Sequence, residues 1–241
     1  MKNYLKASRK EDLTMRRRKA NLDDGCNPEL VLGADFDGIL EIPIIHAPKN
    51  ITIPSGITPF TMRNHAVGTN EAIGHFEKDP TFADILINPD SYIEDLLRFK
   101  YVLPIDASLY RDAPLAAQVT NLYRSRAVGS YYQRKGITII PLVRWGNEYT
   151  YTTKYFPEKI AFLGVEKHSI IAISTYGCIK TKEDKYHFSS GLYEMLKTID
   201  PCTVLVYGAM PDSVFGPYLK GCQFINYPDW TSRVHGGDYN G

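Results

Sequence analysis

From about residue 89 onward, short apolar runs alternate with longer segments whose apolar positions recur every three to four residues. Tyr101–Ile105, Ile137–Val143, Ser169–Ser174 and Thr203–Tyr207 are near-continuous and rich in β-branched residues, the pattern of strands covered on both faces. Between them the period lengthens. Asp90–Phe99 reads as a helix with Asn88 as its cap and Pro89 in its first turn. Ala113–Lys135 reads as a long helix stopped by Gly136, with Asp112 as its cap. Glu183–Ile199 places Phe188, Leu192, Met195, Leu196 and Ile199 on one face, and Pro201 follows it. Lys154–Leu163 is weakly helical.

The first third is less regular. Ile39–Ile45 and Ala72–Phe76 read as strands, and Asn50–Pro59 as a loop bounded by Pro54 and Pro59. Cys222–Ile225 is a possible seventh strand. Strands alternating with helices predict an α/β fold with a mostly parallel sheet of about six strands. An incomplete or irregular barrel is favoured over an open doubly wound sheet. The expected division is a basic arm over 1–19, a single α/β domain over 20–228 and a polar, Gly-rich tail over 229–241, mobile at its end.

Composition alters this picture in one respect. The chain has 241 residues, 44% of them hydrophobic, and 28 basic residues against 27 acidic ones. Those values exclude a disordered, collagen-like or disulfide-dense chain. The net charge of +1 is unevenly spread: residues 1–19 hold eight basic and two acidic side chains, which leaves twenty basic and twenty-five acidic on the rest. The arm is either a contact for a polyanion or a solvated leader, with no preference between the two. No segment is long and apolar enough to span a membrane, and no secretory signal is present. Cys26, Cys178, Cys202 and Cys222 form no C-x-x-C pair, so a reduced cytoplasmic setting and no cysteine metal site are expected.

In parallel α/β folds ligands sit beyond the C-terminal strand ends. The strands end at His46, His75-Phe-Glu77, Asp106-Ala-Ser108-Leu-Tyr110-Arg111-Asp112, Arg144-Trp145-Gly-Asn147-Glu148, Thr175-Tyr176-Gly177-Cys178 and Gly208. Asp106 could act as a general base or metal ligand, or pair with an arginine; the site role is slightly favoured, since Asp112 suits the helix cap better. Arg126 falls on the apolar stripe of the long helix and needs a partner, with Asp106 and Glu148 nearest by topology. A structural Arg–carboxylate clamp is favoured there over an arginine reaching the rim to hold a phosphate or carboxylate. Arg144 and Trp145 can hold an anion and stack a ring, or pair and pack at the surface. His187 lies off the helix stripe and is expected in solvent. His46, His65, His75 and Asp106 lack metal-site spacing, so no metal is expected. Cys178 is more simply an inert thiol than a nucleophile. Phosphate-loop, dinucleotide-binding, nucleophile-elbow and zinc-protease motifs are absent, and no cofactor is indicated.

The run Asp106-Ala-Ser-Leu-Tyr-Arg-Asp-Ala-Pro-Leu-Ala-Ala-Gln118 is followed by Asn121-Leu-Tyr-Arg-Ser-Arg126, Gly136-Ile-Thr-Ile-Ile-Pro141, Trp145, Ile171-Ala-Ile-Ser-Thr-Tyr-Gly177 and Val206-Tyr-Gly208. Over roughly residues 70–210 this series resembles an uncharacterised α/β family, a domain of unknown function found in Gram-positive bacteria, their phages and other mobile elements. The resemblance implies a compact α/β domain and no established activity.

Three functional expectations follow. In the first, the rim takes an anionic, phosphate-bearing small molecule or nucleic acid. Asp106 and Glu148 are its candidate catalytic groups, and hydrolysis or phosphoryl chemistry is placed ahead of redox. Ser108, Tyr110, Arg111, Arg126, Arg144, Trp145, Asn147 and Thr175 are its candidate ligand contacts. In the second, the same rim binds a nucleotide or a partner without catalysis. In the third, the arm makes the chain a nucleic-acid-binding accessory protein.

Overall fold

The computed structural model describes residues 27–49, 51–66 and 68–235. The basic arm, Cys26 and residues 236–241 lie outside the described residues.

The fold is α/β. Strands β3 (Ile57–Pro59), β4 (Ala72–His75) and β5 (Tyr101–Ile105) form one parallel sheet in that order. Strands β6 (Ile170–Ser174), β7 (Thr203–Tyr207) and β8 (Gln223–Tyr227) form a second. The six parallel strands are therefore split three and three. Residues 137–143 lie between the sheets and pair only through single bridges, Val102 with Ile139 and Leu142 with Ala172. Their first half bonds β5: Val102 N donates to Thr138 O, and Ile140 N to Val102 O. Their second half bonds β6: Ala172 N donates to Pro141 O, and Val143 N to Ala172 O. Pro141 has no N–H to give to either neighbour, and the run changes partner at that residue.

Alternate residues of all these segments meet in one apolar cluster. Ile57, Ala72, Leu103, Ile140, Leu142, Ala172, Leu205 and Tyr227 all belong to it. The arrangement is an irregular barrel that does not close: no ladder joins β3 to β8 among the described residues. Tyr227 Oη donates to Pro54 O (2.6 Å) across that gap. The helix Trp230–His235 spans it too, through an ion pair of Arg233 with Glu71 and a 3.2 Å bond from Arg233 to Thr58 Oγ1.

Two long helices pack on the outside. Numbering helices in chain order, α1 is Ala83–Ile87, α2 Ile93–Leu96, α3 Leu115–Arg134, α4 Glu148–Tyr151, α5 Lys182–Ile199, α6 Asp212–Phe215 and α7 Trp230–His235. Helix α5 starts in a capping box: Asp184 N donates to Thr181 Oγ1 and Thr181 N to Asp184 Oδ2, which satisfies two amide groups at its first turn. Phe188, Leu192, Met195 and Ile199 of its apolar stripe are buried as the periodicity predicts, and Leu196 is half-buried beside them. Helix α3 has a different character. Ser125 to Tyr132 are all buried, so its second half is enclosed on every side. A Cβ at Gly129 would strike Ile45, which explains how the hairpin of β1 (Phe36–Asp37) and β2 (Ile42–Pro43) approaches so closely.

Several expectations are corrected. Ile39–Ile45 is this antiparallel hairpin rather than one strand: Gly38 and Glu41 take left-handed φ values and Ile39 is 67% exposed. Asn50–Pro59 contains β3. Asp90–Phe99 is only a 3-10 turn followed by the short α2. Asp112 does not cap α3, which begins after Pro114 without a side-chain cap. Residues 229–235 of the supposed tail are ordered into α7 and its approach. Among the described residues, no helix is long and apolar enough to cross a membrane.

Candidate functional site

The C-terminal strand ends converge on a cavity of about 810 Å3. Pro59 of β3, Phe76 and Glu77 after β4, Asp106 after β5, Arg144 after the 137–143 run, Ser174 and Tyr176 at β6, and Tyr207 of β7 all line it. Asp229, Trp230 and Thr231, which follow β8, close another side.

At its base the sequence brings an acid and a base together. Asp106 follows the fully buried β5, so its side chain is only 3% exposed. Arg144 follows the bridging run, and its side chain is 23% exposed. Arg144 Nε and Nη2 both donate to the Asp106 carboxylate, the Nη2 bond at 2.5 Å. Arg144 Nη1 donates to Cys178 Sγ at 3.0 Å. Burial alone would disfavour the charge on Arg144, but Asp106 and Cys178 outweigh it and hold the guanidinium above its ordinary value. Asp106 thus has both oxygens engaged by one fork, an arrangement that orients Arg144.

Aromatic rings form the walls. Phe76 and Tyr207 stack with centroids 4.4 Å apart and an interplanar angle of 10°. Burial pushes the Tyr207 hydroxyl up to about 12, and its oxygen accepts from Trp230 N at 2.8 Å. Tyr176 stands edge-on to Tyr207 and is exposed. Trp145 packs against Phe188 (5.1 Å) and presses on Gly191 of α5, where a Cβ would collide with the indole. Tyr110 is 62% exposed at the mouth.

The expected site residues separate into two groups. Asp106, Ser108, Tyr110, Arg111, Arg144 and Trp145 line the cavity. Within it, Ser108 Oγ donates to Asp79 (2.9 Å), and Arg111 is held by Asp184 (3.0 Å) and Glu183 (3.3 Å). Arg126, Glu148, Asn147 and Thr175 lie elsewhere. Arg126 is 1% exposed, and three main-chain carbonyls receive it: Leu142 O (2.6 Å), Leu163 O (3.0 Å) and Ala161 O (3.4 Å). Burial lowers its guanidinium to about 10 despite the charge of Asp37. The expected Arg–carboxylate clamp is therefore corrected: Arg126 is held inside the fold by carbonyls rather than by Asp106 or Glu148. Glu148 instead accepts from Tyr155 Oη and pairs with Lys154. Asn147 caps α4 through Tyr149 N and donates to Arg111 O. Thr175 is buried, and its hydroxyl donates to Ala209 O.

Two histidines also leave the rim. His75 is enclosed by Phe60 and Phe82, donates from Nδ1 to Leu103 O, and burial lowers it to about 4. His46 sits between Asp35 and Glu166. Conversely, His187 borders the cavity and bonds Tyr151 Oη (2.9 Å). Glu77, a strand end named from the sequence but given no role, also lines the cavity; Phe76, Lys78, Lys180, Tyr207 and Trp230 were not among the expected site residues, although Phe76, Lys78 and Tyr207 stand at or just after strand ends.

A family model described as "Domain of unknown function (DUF4417)" matches residues 34–228. The chain belongs to this family. The match takes in every strand of the DUF4417 barrel and stops just short of Asp229–Thr231 in the cavity wall. Over 180 residues, 73% of the chain, it is 29% identical to the "Gene 1 protein" of Mycobacterium phage D29 and 30% identical to that of Mycobacterium phage L5. The chain spans 61% of the length of the first relative and 72% of the second. It is thus a phage-type protein. No solved structure matches it significantly.

Proposed function

We propose that the strand-end cavity binds a nucleotide unit, free or at a single-stranded nucleic-acid end, with the ring among the aromatic walls and the phosphate at the mouth. The observation that carries this reading is the pairing of ring-lined walls with Lys78 and Lys180, two exposed lysines at the cavity that form no ion pair among the described residues. Ring faces accept any base, and such stacking contributes about 1–3 kcal/mol per base.

Electrostatics sharpens the proposal. Four basic side chains (Lys78, Arg111, Arg144, Lys180) and five carboxylates (Glu77, Asp106, Asp112, Asp184, Asp229) line the cavity. A net charge near −1 gives no broad attraction for polyanions, so affinity rests on rings and local lysines and falls only shallowly with salt. Both oxygens of Asp106 are occupied by Arg144, which favours capture over hydrolysis. Asp106 serves as a positioning group.

The test is thermal unfolding of the full chain with each nucleoside monophosphate and with short single-stranded oligonucleotides. A ligand at a hundred times its Kd stabilises the folded state by about 2.7 kcal/mol. The expected result is a raised melt that is lost in Tyr176→Ala and weakened in Lys78→Ala, with ligand recovered intact. No shift from any nucleotide or oligonucleotide overturns the reading. Consumption of the ligand would replace capture with catalysis.

A further inference from the structure

Cys202 and Cys222 stand immediately before β7 and β8, and those strands are parallel neighbours with Thr203 opposite Gln223 and Val204 opposite Phe224. The two cysteines therefore occupy matching positions one residue upstream of the ladder. Their side chains also face the same way. Thr203 Oγ1 donates to Gln223 Oε1 at 3.0 Å, so those two side chains share a face. Alternation turns the preceding pair to the opposite, helix-covered face, where Cys222 packs with Val204 and Phe224. Cys222 Sγ lies 3.8 Å from the carbonyl oxygen of Pro201, the residue joined to Cys202. Neighbouring strands run about 4.7–4.9 Å apart, inside the roughly 4.4–6.8 Å range of Cα separations that a disulfide bridges.

We propose that Cys202 and Cys222 form a reversible disulfide, a dithiol site for low-molecular-weight disulfides. Both are free thiols in this structure, Cys202 exposed and Cys222 half-buried. That difference sets the order of events. The Cys202 thiolate attacks the small disulfide; one S–S bond breaks, a mixed disulfide forms on Cys202 and one small thiol leaves. Cys222, on losing its proton, attacks the Cys202 sulfur; the protein S–S bond forms and the second small thiol leaves with that proton. Two protein thiols are oxidised and one small disulfide is reduced to two thiols. Burial raises the Cys222 thiol to about 11, with the nearby Cys202 and Asp200 acting in the same direction, which makes it the resolving partner and slows the second step at neutral pH. The bridge fastens the start of β8, the strand whose far end carries Asp229 and Trp230 into the cavity wall.

The experiment incubates the full chain with oxidised glutathione, blocks remaining thiols with N-ethylmaleimide and maps peptides by mass spectrometry without reduction. The expected product is an intramolecular Cys202–Cys222 peptide pair, reversed by dithiothreitol, with Cys178 still alkylated. Cys222→Ser is expected to stop at a stable glutathione adduct on Cys202, and Cys202→Ser to leave Cys222 alkylated. A wild-type chain that stops at the Cys202 adduct overturns the proposal. So does one that links these cysteines to Cys26, to Cys178 or between chains.

Discussion

Replacing Asp106 by asparagine keeps the side-chain shape and removes its charge, so it isolates the pair at the base of the cavity. In the native protein one guanidinium donates to both carboxylate oxygens. The amide offers one oxygen and points its NH2 at the donors of Arg144. Removing one partner of a buried ion pair costs about 3–5 kcal/mol. Arg144 keeps 23% of its side chain in contact with water, and solvent screening brings the cost down to about 2–3 kcal/mol. At this chain length that corresponds to a fall in Tm of about 5–10 °C. Arg144→Met is expected to cost more, because it strands a carboxylate that is only 3% exposed. Urea unfolding of the wild type, both single variants and the double variant closes a mutant cycle. The expected coupling is at least about 1 kcal/mol, with the double variant less damaged than the sum of the singles. Strict additivity, or an Asp106→Asn cost within about 0.5 kcal/mol of zero, would falsify the claim that this pair organises the rim.

Arg126→Met leaves three buried carbonyls without their donor, at about 1–3 kcal/mol each before the regained desolvation of the charge offsets part of it. The expectation is a stability loss of about 2–4 kcal/mol in urea unfolding with unchanged nucleotide affinity in the folded variant; lost affinity would return Arg126 to the site. Gly191→Ala drives a methyl into Trp145 and is expected to cost about 1–3 kcal/mol and to alter tryptophan emission, whereas an unchanged spectrum would contradict the packing. Arg233→Met frees α7 from Glu71 and Thr58 and should weaken nucleotide binding more than it lowers Tm, as titration calorimetry beside a melt would reveal. His46 is raised above 6.5, first by its bond to Glu166 and then, against burial, by Asp35. Its stabilisation is therefore complete below 6.5 and is lost as pH rises through the higher folded value. The ring is half-exposed, so the effect is at most about 1 kcal/mol. Stability curves of the wild type and His46→Gln should converge as the pH climbs and separate as it falls, and parallel curves would refute the assignment.

The elements legible in the sequence are those whose stability comes from their own pattern. β5, β6 and β7 are buried along their whole length and appear as unbroken apolar runs. Helix α5 carries its stripe and its cap in its own residues. The misreadings fall where tertiary contacts override local signals. β3 is three residues long and ends in proline, yet it pairs because β4 supplies the partner. The 137–143 run has strand signals but divides its bonds between two sheets, changing partner at Pro141. At the site, strand ends pointed to Asp106, Arg111, Arg144 and Trp145, because topology alone carries them to one rim. The helical stripe rightly placed Arg126 in the interior. Its partners were illegible, because carbonyls of the irregular 161–163 segment have no residue-type signature. Trp230 was missed because the polar residues around it resemble a loose end.

The pattern of pairing decides which cations a ligand can use. Each arginine first considered as an anion hook is engaged within the fold: Arg126 by carbonyls, Arg111 by Asp184 and Glu183, Arg144 by Asp106. A phosphate approaching Arg144 would meet the Asp106 charge behind it, and displacing that carboxylate would strand it in a buried position. Lys78 and Lys180 carry no such partner among the described residues, and both are exposed where they line the cavity. The cavity therefore offers a ligand aromatic rings and two exposed lysines. A phosphorylated ring can satisfy both at once. Inorganic phosphate meets only the lysines and an uncharged ring only the walls, so either fragment alone should bind more weakly than the nucleotide that joins them. Equal affinity for nucleotide and nucleoside would mean that the lysines take no part, leaving the aromatic walls to account for all of the recognition.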